Sequence, residues 1–323
     1  MQFILAEKQQ PKELRAVYQE TLMELMKENV NVVVCDADLV NASGTTKLFE
    51  TYPDRCINMG ISEANMIGAS CGMSLTGKIP FVHTFAPFAT RRAFDQLYLS
   101  GGYQQANIRI FGSDPGFWAL HNGGTHTSVE DLALTRAIPQ LTVIAPADAV
   151  QFKWVLNNTV NWYGMYYFRC ARKAVPDIYS DASVFEIGRG NVLYEGSDIA
   201  IFAIGEMIAE AIKAREILKV YGLSTAVIDM FTVKPLDEDL VKTVSKGKKV
   251  VITAENHSKI GGLGSAVAEV LAENPIKAPL IRVAIQDHFG EVGTQDYLKD
   301  KFGLNAEAIV NGALRALDIS VSM

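Results

Sequence analysis

Short apolar runs of strand length alternate with amphipathic helical segments along most of this 323-residue chain. The first pair is a helical spacing of apolar residues over 12–29, followed by an apolar run over 30–35. Such a run is typical of a strand buried on both faces, and the intervening helices make the crossovers of a parallel sheet. The sequence therefore predicts an α/β fold with a mostly parallel sheet covered by helices on both faces. The same pattern predicts further strands over 79–83, 108–111, 141–145, 165–169, 199–204, 224–228, 249–253 and 280–283, and further helices over 62–76, 88–99, 148–157, 208–218, 265–271 and 306–317.

The alternation is interrupted between residues 172 and 187. This segment contains Pro176, several charged residues and no clear period, which is typical of a linker. A chain of this length also exceeds the usual size of a single hydrophobic core. We therefore predict a first domain over 1–175, a linker over 176–188 and a smaller α/β domain over 189–323.

The balance of charge restricts the kinds of partner. The chain has 30 Lys and Arg against 36 Asp and Glu, a formal net charge of −6. Nucleic acid and anionic membranes favour a basic surface, so neither is expected as a partner. The first residues form no apolar run long enough for a signal peptide, and the four cysteines include no Cys-x-x-Cys pair. These features predict a cytoplasmic protein whose cysteines are small buried residues.

Glu63 stands at the start of a predicted helix, directly after the turn Gly60-Ile61-Ser62. A carboxylate there is favoured by the helix dipole, and this structural role alone would explain it. Its neighbours in the helix are small and apolar, however, and a carboxyl group in such a pocket can hold or pass a proton near neutral pH. From these residues alone, both interpretations stay open.

Phe85 and Phe88 lie three residues apart in the segment Thr-Phe-Ala-Pro-Phe. In a loop between a strand and a helix, the two rings could present their faces on one side. Core packing is the commoner role for a pair of phenylalanines, but a flat heteroaromatic ligand would suit them equally well.

A glycine-rich loop over 112–131 carries Asp114, His121, Asn122 and His126 after a predicted strand. In parallel-sheet proteins, loops that follow strands hold many of the side chains that do chemistry. We predict no metal site here, because neither histidine has a Cys or Glu at ligand spacing. Loop histidines also form hydrogen bonds with sugar hydroxyls.

Several segments occur together in the order of one known family. The first half carries Asp-Ala-Asp-Leu at 36–39, Pro-Asp-Arg-x-Ile-Asn-Met-Gly-Ile-x-Glu-x-Asn-Met at 53–66, Thr-Phe-x-x-Phe at 84–88, Gly-x-Thr-His at 123–126 and Ile-x-Pro-Ala-Asp at 144–148. The second half carries Asp229-Met-Phe-Thr-Val-Lys-Pro-Leu-Asp, Glu255-Asn-His, Gly261-Gly-Leu-Gly-Ser-Ala-Val and Asp287-His-Phe-Gly-Glu-Val-Gly. Together they resemble the pyrimidine-binding and C-terminal domains of transketolases, over nearly the whole chain after the first helix.

The resemblance implies a thiamine diphosphate enzyme and suggests roles position by position. Glu63 matches the glutamate that hydrogen-bonds the aminopyrimidine ring of the cofactor, and His126 matches a histidine near the reacting oxygens of the substrate. Both are therefore predicted to be catalytic. Phe85 and Phe88 match aromatic positions that stack on the pyrimidine. The other matched positions are Asp38 and Leu39, which lie along the cofactor, and Arg172, which grips a sugar phosphate.

The family's signature for metal and diphosphate, Gly-Asp-Gly followed by a downstream Asn, does not occur in this sequence. The resemblance therefore implies a second, N-terminal transketolase-like subunit that holds the diphosphate and Mg²⁺. The active sites would lie between the two chains, in a heterotetramer that contains a homodimer of this chain.

Two departures from the family pattern bear on the substrate. The chain reads Leu120-His121-Asn122-Gly123 where standard transketolases carry Gly-Glu-Asp-Gly, so an amide replaces the aspartate that contacts the donor hydroxyl. Asp114 stands where the family places a histidine that contacts phosphate, and its charge would repel a dianionic phosphate. We therefore expect Asp114 and Asn122 to contact a substrate that is unphosphorylated or otherwise modified.

The sequence thus predicts a transketolase subunit that transfers a two-carbon ketol unit from a ketose to an aldose. Two alternatives are the β subunit of a 2-oxo acid dehydrogenase and a non-catalytic scaffold subunit of a thiamine enzyme. A 1-deoxyxylulose-phosphate synthase is less expected, since that family keeps all three domains on one chain. No role is predicted for His83, His121 or His257.

Overall fold

Two β-sheets with helices on both faces make up the computed structural model, which describes residues 3–319. The larger sheet has seven strands in the order β10-β5-β6-β4-β3-β1-β2, and the smaller has five in the order β12-β11-β8-β9-β7. The strands are β1 (Val32–Asp36), β2 (Cys56–Asn58), β3 (Ile79–Phe85), β4 (Arg109–Ser113), β5 (Thr142–Ile144), β6 (Tyr166–Cys170), β7 (Asn191–Tyr194), β8 (Ile199–Ala203), β9 (Thr225–Asp229), β10 (Thr232–Lys234), β11 (Val250–Ser258) and β12 (Leu280–Ile285).

The α-helices precede, connect and follow these strands. They are α1 (Leu14–Glu28), α2 (Val40–Ser43), α3 (Thr46–Thr51), α4 (Glu63–Leu75), α5 (Ala86–Ala89), α6 (Phe94–Gln96), α7 (Asp131–Arg136), α8 (Ala149–Thr159), α9 (Met207–Val220), α10 (Glu238–Ser245), α11 (Leu263–Glu273), α12 (Gln295–Phe302) and α13 (Ala306–Ala316). A π-helix covers Leu97–Tyr103 and a 3₁₀-helix covers Gly116–Asn122. Within the described range, none of the helices is long and apolar enough to span a membrane.

Both faces of the larger sheet are buried. Along β3, Phe81 packs into one apolar cluster with α1 and α8, while its neighbour Val82 packs into a second cluster with α4 and the π-helix. Side chains of successive strand residues point to opposite faces, so an unbroken apolar strand fits this double cover. The predicted fold class is therefore confirmed.

All strand pairs of the larger sheet are parallel except one. Strand β10 comes from the second half of the chain and pairs antiparallel with β5, with Thr232 opposite Ile144. The first six strands run in one direction, so their carboxyl ends meet at one edge. The segment between β6 and β7 holds no helix or strand of its own and contains the predicted linker over 176–188. The outer ends of the two predicted domains, residues 1–2 and 320–323, lie outside the described residues.

The predicted helix over 88–99 is wrong in its form. The chain makes one turn of helix in α5, passes through a turn over 90–93, and then continues through α6 into the π-helix. The Thr90 hydroxyl donates to the carbonyl of Ala86 at 2.7 Å and so closes the short turn. An apolar spacing alone does not reveal such a break, because hydrogen bonds from Thr side chains compete with the helix ladder.

A cluster of buried polar groups joins the two halves of the chain. Asp148 caps α8 and accepts hydrogen bonds from the backbone N–H groups of Ile178 (2.8 Å) and Tyr179 (2.7 Å). Asp229, at the end of β9, accepts hydrogen bonds from Gln151 Nε2 (2.8 Å) and the Tyr179 hydroxyl (2.5 Å). Burial raises the pKa of both aspartates to about 6, although these hydrogen bonds oppose the shift.

The raised pKa values predict that the folded protein binds more protons than the unfolded chain between about pH 7 and pH 4. A carboxyl group whose pKa is higher in the folded state stabilises the folded protein when it is protonated. For Asp229 this stabilisation is complete below the ordinary pKa of 3.8 and is lost as the pH rises through the folded pKa of about 6. Asp229→Asn should therefore reduce the difference in free energy of unfolding between pH 5 and pH 8 by about 1.4 kcal/mol, since pH 5 lies one unit below the folded pKa. Urea unfolding at the two pH values measures this difference.

The control for this experiment is Asp198→Asn, because Asp198 lies near the surface and its pKa is lowered by the hydrogen bond with Lys249. It should leave the difference between pH 5 and pH 8 unchanged. An Asp229→Asn protein with the pH dependence of the wild type would show that Asp229 is not the proton acceptor.

Candidate active site

The predicted site residues gather at the carboxyl edge of the larger sheet. Asp38 follows β1, Phe85 ends β3, Asp114 follows β4 and Arg172 follows β6. Glu63 arrives from a neighbouring connection as the first residue of α4. Residues far apart in sequence therefore share one edge, as expected for parallel strands whose connections return on the far side.

Glu63 is buried at this edge, with 2% of its surface exposed. Gly60 takes a φ of 70° in the turn before α4, a conformation that suits glycine and brings Glu63 to the start of the helix. The Oε1 atom of Glu63 accepts a hydrogen bond from Arg92 Nη1 at 2.8 Å. The carboxylate thus has a cation as its partner and lies almost out of contact with solvent.

An aromatic group lies beside this carboxylate. The ring centroids of Phe85 and Phe88 are 6.1 Å apart, and the His126 ring lies 6.0 Å from the first and 5.1 Å from the second, edge-on to both. The Arg92 guanidinium lies 3.8 Å from the centroid of Phe88. Because Arg92 contacts both Glu63 and Phe88, the carboxylate and the aromatic rings belong to one site.

The loop after β1 is held by a buried hydrogen-bond chain. Asp36 Oδ1 accepts from the Leu39 backbone N–H at 2.5 Å, and Asp36 Oδ2 lies 2.9 Å from His83 Nδ1. His83 Nε2 in turn lies 3.0 Å from the Ser113 hydroxyl. Since these side chains are fully buried, His83 has a structural role that fixes the loop carrying Asp38 and Leu39.

Asp38 and Leu39 lie in the loop that follows β1 at this edge. Asp38 is exposed and half-buried Leu39 follows it, while the Asp38 backbone N–H donates to Asn58 Oδ1 at 3.1 Å. Asp38 has a positive φ of 63°, which turns the loop back over the sheet edge. Within residues 3–319, neither side chain forms a hydrogen bond with Glu63, whose partner is Arg92.

Asp114 and Arg172 form a pair. Arg172 donates to Asp114 through Nε, and its backbone N–H donates to Asp114 Oδ1 at 2.9 Å. The Arg172 guanidinium also lies 4.8 Å from the centroid of Phe85. Burial raises the pKa of Asp114, although the Arg172 cation opposes this shift. The expected repulsion of a phosphate by Asp114 is therefore reduced, because Arg172 compensates its charge.

The loop with the altered sequence lies against the second half of the chain. Leu120 has an unusual φ of 47°, and His121 and Asn122 are exposed beside it. A Cβ atom added at Gly124 would come within 2.6 Å of the Gly290 carbonyl oxygen, so the loop fits there only with glycine. Asn122 is thus exposed in a loop that packs against the second half of the chain.

His257 has a structural position. His257 Nε2 accepts from the Leu132 backbone N–H at 3.2 Å, and its Nδ1 lies 2.8 Å from the Ser258 carbonyl oxygen. It is fully buried in β11. Among the described residues, no group of three or more His, Cys, Asp or Glu side chains is arranged to hold a metal ion.

Arg92 is the site residue that the sequence analysis missed. It lies four residues after Phe88, within a Thr-Arg-Arg segment whose charges resemble an exposed surface. No local signal identifies it, because α5 ends at Ala89 and Arg92 lies in the turn that follows. Its carboxylate partner is 29 residues away in sequence, and no local pattern predicts that pairing.

Two family models match this chain in succession. The model for the pyrimidine-binding domain of transketolase matches residues 10–177. The model for the transketolase C-terminal domain matches residues 188–309.

Relatives of similar length support the same family. A 6-deoxy-6-sulfo-D-fructose transketolase subunit from Clostridium sp. (strain MSTE9) is 44% identical over 93% of this chain and 93% of its own. One of the subunits of an apulose-4-phosphate transketolase, from Phocaeicola vulgatus, is 32% identical over 93% of this chain and 96% of its own.

A solved structure agrees with both sequence comparisons. It is described as a split gene transketolase in an inactive beta4 tetramer, and it is 39% identical to this chain. It superposes with a TM-score of 0.85 over 95% of this chain and 99% of its own. With both halves matched in order and with relatives alike over almost their full length, this chain belongs to the transketolase family.

Proposed function

We propose that this protein is the pyrimidine-binding subunit of a two-chain transketolase that transfers a two-carbon ketol unit from a modified ketose to an aldose. The observation that carries the proposal is the buried Glu63 carboxylate beside the rings of Phe85 and Phe88. His126 contacts both rings at the same edge of the sheet. A scaffold subunit would have no need for this arrangement.

The residues present fit the aminopyrimidine of thiamine diphosphate, on which the family depends. A carboxylate can accept a hydrogen bond from a protonated ring nitrogen, and aromatic side chains can stack on a flat heterocycle. When bound, thiamine diphosphate supplies the nucleophilic carbon that carries the ketol unit between the two sugars.

Each side chain of the site then has a defined task. Arg92 holds Oε1 of Glu63, so we assign the exchange of a proton with the pyrimidine to Oε2. Phe85 and Phe88 orient the ring. His126 Nδ1 lies 2.9 Å from the Thr125 hydroxyl, which leaves Nε2 to form a hydrogen bond with an oxygen of the sugar.

A second subunit completes the enzyme in this proposal. We assign the diphosphate and Mg²⁺ to an N-terminal transketolase-like chain, because the Gly-Asp-Gly signature is missing from this sequence. The split-gene relative is described as inactive in a tetramer of beta chains. That description supports a heterotetramer in which two copies of this chain require two copies of the partner.

The donor we propose is a ketose with an acidic terminal group. The relative that is 44% identical is named for 6-deoxy-6-sulfofructose, and the one that is 32% identical is named for apulose 4-phosphate. Because the first of these is much more similar to this chain, a sulfonated ketose is the favoured donor. Asp114, Asn122, His126 and Arg172 are the proposed substrate contacts.

Coexpression tests the proposal. The chain should be produced with a transketolase-like chain that carries Gly-Asp-Gly, and ketol transfer assayed with thiamine diphosphate and Mg²⁺. Sulfonated, phosphorylated and unsubstituted ketoses should all be offered. We expect activity in the mixture and only background activity with either chain alone, since neither holds the whole cofactor.

Two other outcomes would contradict this proposal. Decarboxylation of a 2-oxo acid in place of ketol transfer would identify a dehydrogenase β subunit, an alternative that the transketolase relatives do not favour. A stable complex that turns over no ketose would support the scaffold alternative.

We also propose a cytoplasmic location, with which four buried free cysteines are consistent.

A further inference from the structure

A cluster of five charged residues lies next to the aromatic group. It consists of Glu13, Arg15, Asp114, Arg172 and Lys173, and we call it the tail cluster. Glu13 bridges two cations, since its Oε2 lies 2.7 Å from Arg15 Nε and its Oε1 lies 3.4 Å from Lys173 Nζ. The Arg15 backbone N–H donates to the Arg172 carbonyl at 3.0 Å, which joins the start of α1 to the end of β6.

The tail cluster borders the loop that follows Asp38 and Leu39. Arg172 Nη1 donates to the carbonyl of Ala42 at 3.1 Å, and the aliphatic part of Arg15 packs against Gly44. Through its 4.8 Å contact with Phe85, Arg172 also borders the aromatic group. The cluster therefore stands where the far end of a substrate could extend from the reacting carbon.

The charges of the tail cluster nearly cancel. Three cations, Arg15, Arg172 and Lys173, face two carboxylates, Glu13 and Asp114, which leaves a formal charge of +1. The hydrogen bond from Arg15 holds the pKa of Glu13 below its ordinary value, so Glu13 stays ionised near neutral pH. The neighbouring pair of Arg92 and Glu63 adds no net charge.

We propose that the tail cluster selects a singly charged acidic tail such as a sulfonate over a doubly charged phosphate, and that Glu13 is a specificity-determining residue. This inference rests on the proposed function, because it assumes a ketose donor. The attraction of an anion to a fixed site grows in proportion to its charge, whereas the cost of removing it from water grows roughly with the square of that charge. A weakly positive site therefore favours the monoanion, and a more positive site moves the preference toward the dianion.

The test compares 6-deoxy-6-sulfofructose with fructose 6-phosphate as donors for the assembled two-chain enzyme. Wild type should prefer the sulfonated ketose in kcat/KM by about tenfold or more. Glu13→Gln raises the formal charge of the cluster to +2 and should shift the ratio toward the phosphorylated ketose by about fivefold. The shift should come from KM, with kcat nearly unchanged, because Glu13 contacts no reacting atom.

The matched control is Glu20→Gln, which also removes one carboxylate paired with a cation of the same segment, Lys12. Glu20 lies about two turns further along α1 and should leave the ratio unchanged. If both ketoses are turned over and Glu13→Gln does not change their ratio, or Glu20→Gln changes it equally, the inference is wrong while the proposed function stands. If the wild-type assembly transfers a ketol unit from neither ketose, the proposed donor is wrong and this inference fails with it.

Discussion

Glu63→Ala should lower kcat/KM of the assembled enzyme for its ketose donor by about 10²–10⁴-fold, the range typical of a lost proton-transfer group. Glu63 is buried beside the aromatic pair and exchanges its proton with the pyrimidine in our proposal. Truncation removes that group and leaves Arg92 without its carboxylate partner. Water would replace the carboxylate poorly, because it is neither positioned nor charged.

Initial rates of ketol transfer, measured with saturating thiamine diphosphate and Mg²⁺, determine this loss. Glu63→Gln keeps the shape of the side chain and should lose nearly as much activity, since an amide cannot exchange a proton. Glu269→Ala is the control, because it also removes a carboxylate paired with an arginine, Arg136, at an exposed position away from the site. Glu63→Ala activity within tenfold of the wild type would exclude Glu63 as the catalytic carboxylate.

Asp131→Ala should lower the free energy of unfolding by about 3–5 kcal/mol, the typical effect of removing one partner from a buried ion pair. Asp131 Oδ2 lies 2.7 Å from Arg169 Nε and accepts a hydrogen bond from the Tyr167 hydroxyl at 2.9 Å. Both charged side chains are at most 1% exposed. Arg169 also donates to the carbonyl of Asn256 in β11, so the pair connects the two halves of the chain.

Urea unfolding of the purified chain measures this effect. Replacing both partners, in Asp131→Leu with Arg169→Met, should destabilise the chain less than Asp131→Ala alone, because no unpaired charge then remains buried. Glu20→Ala breaks an exposed ion pair with Lys12 and should change stability by less than about 1 kcal/mol. A loss of less than about 1 kcal/mol in Asp131→Ala would mean that Arg169 finds another partner.

The catalytic residues proposed for this chain could be predicted from sequence through the resemblance to transketolases, because their local patterns alone left a structural role open. Glu63 directly follows the short turn Gly60-Ile61-Ser62, and Phe85 and Phe88 lie three residues apart on one short connection. Their position at the carboxyl edge follows from the parallel sheet, because each lies where a connection begins or ends at that edge. The fold class was predictable because apolar periodicity is a local property.

Contacts between distant segments could not be predicted in this way. Arg92 pairs with Glu63, and Asp114 pairs with Arg172, which is 58 residues away. The sequence placed Asp114 in the site but gave no indication that its charge is compensated. The end of α5 at Ala89 was missed because the apolar spacing continues across it.

Strand β10 has a consequence for how the two halves of the chain depend on each other. It comes from the second half but completes the edge of the larger sheet against β5. Without it, the N–H and C=O groups along β5 would face solvent as an open edge, which favours association between molecules. The first half is thus not an independent module. Cutting the chain between its halves would separate the two sheets and would also leave β5 as an unpaired edge strand that favours aggregation.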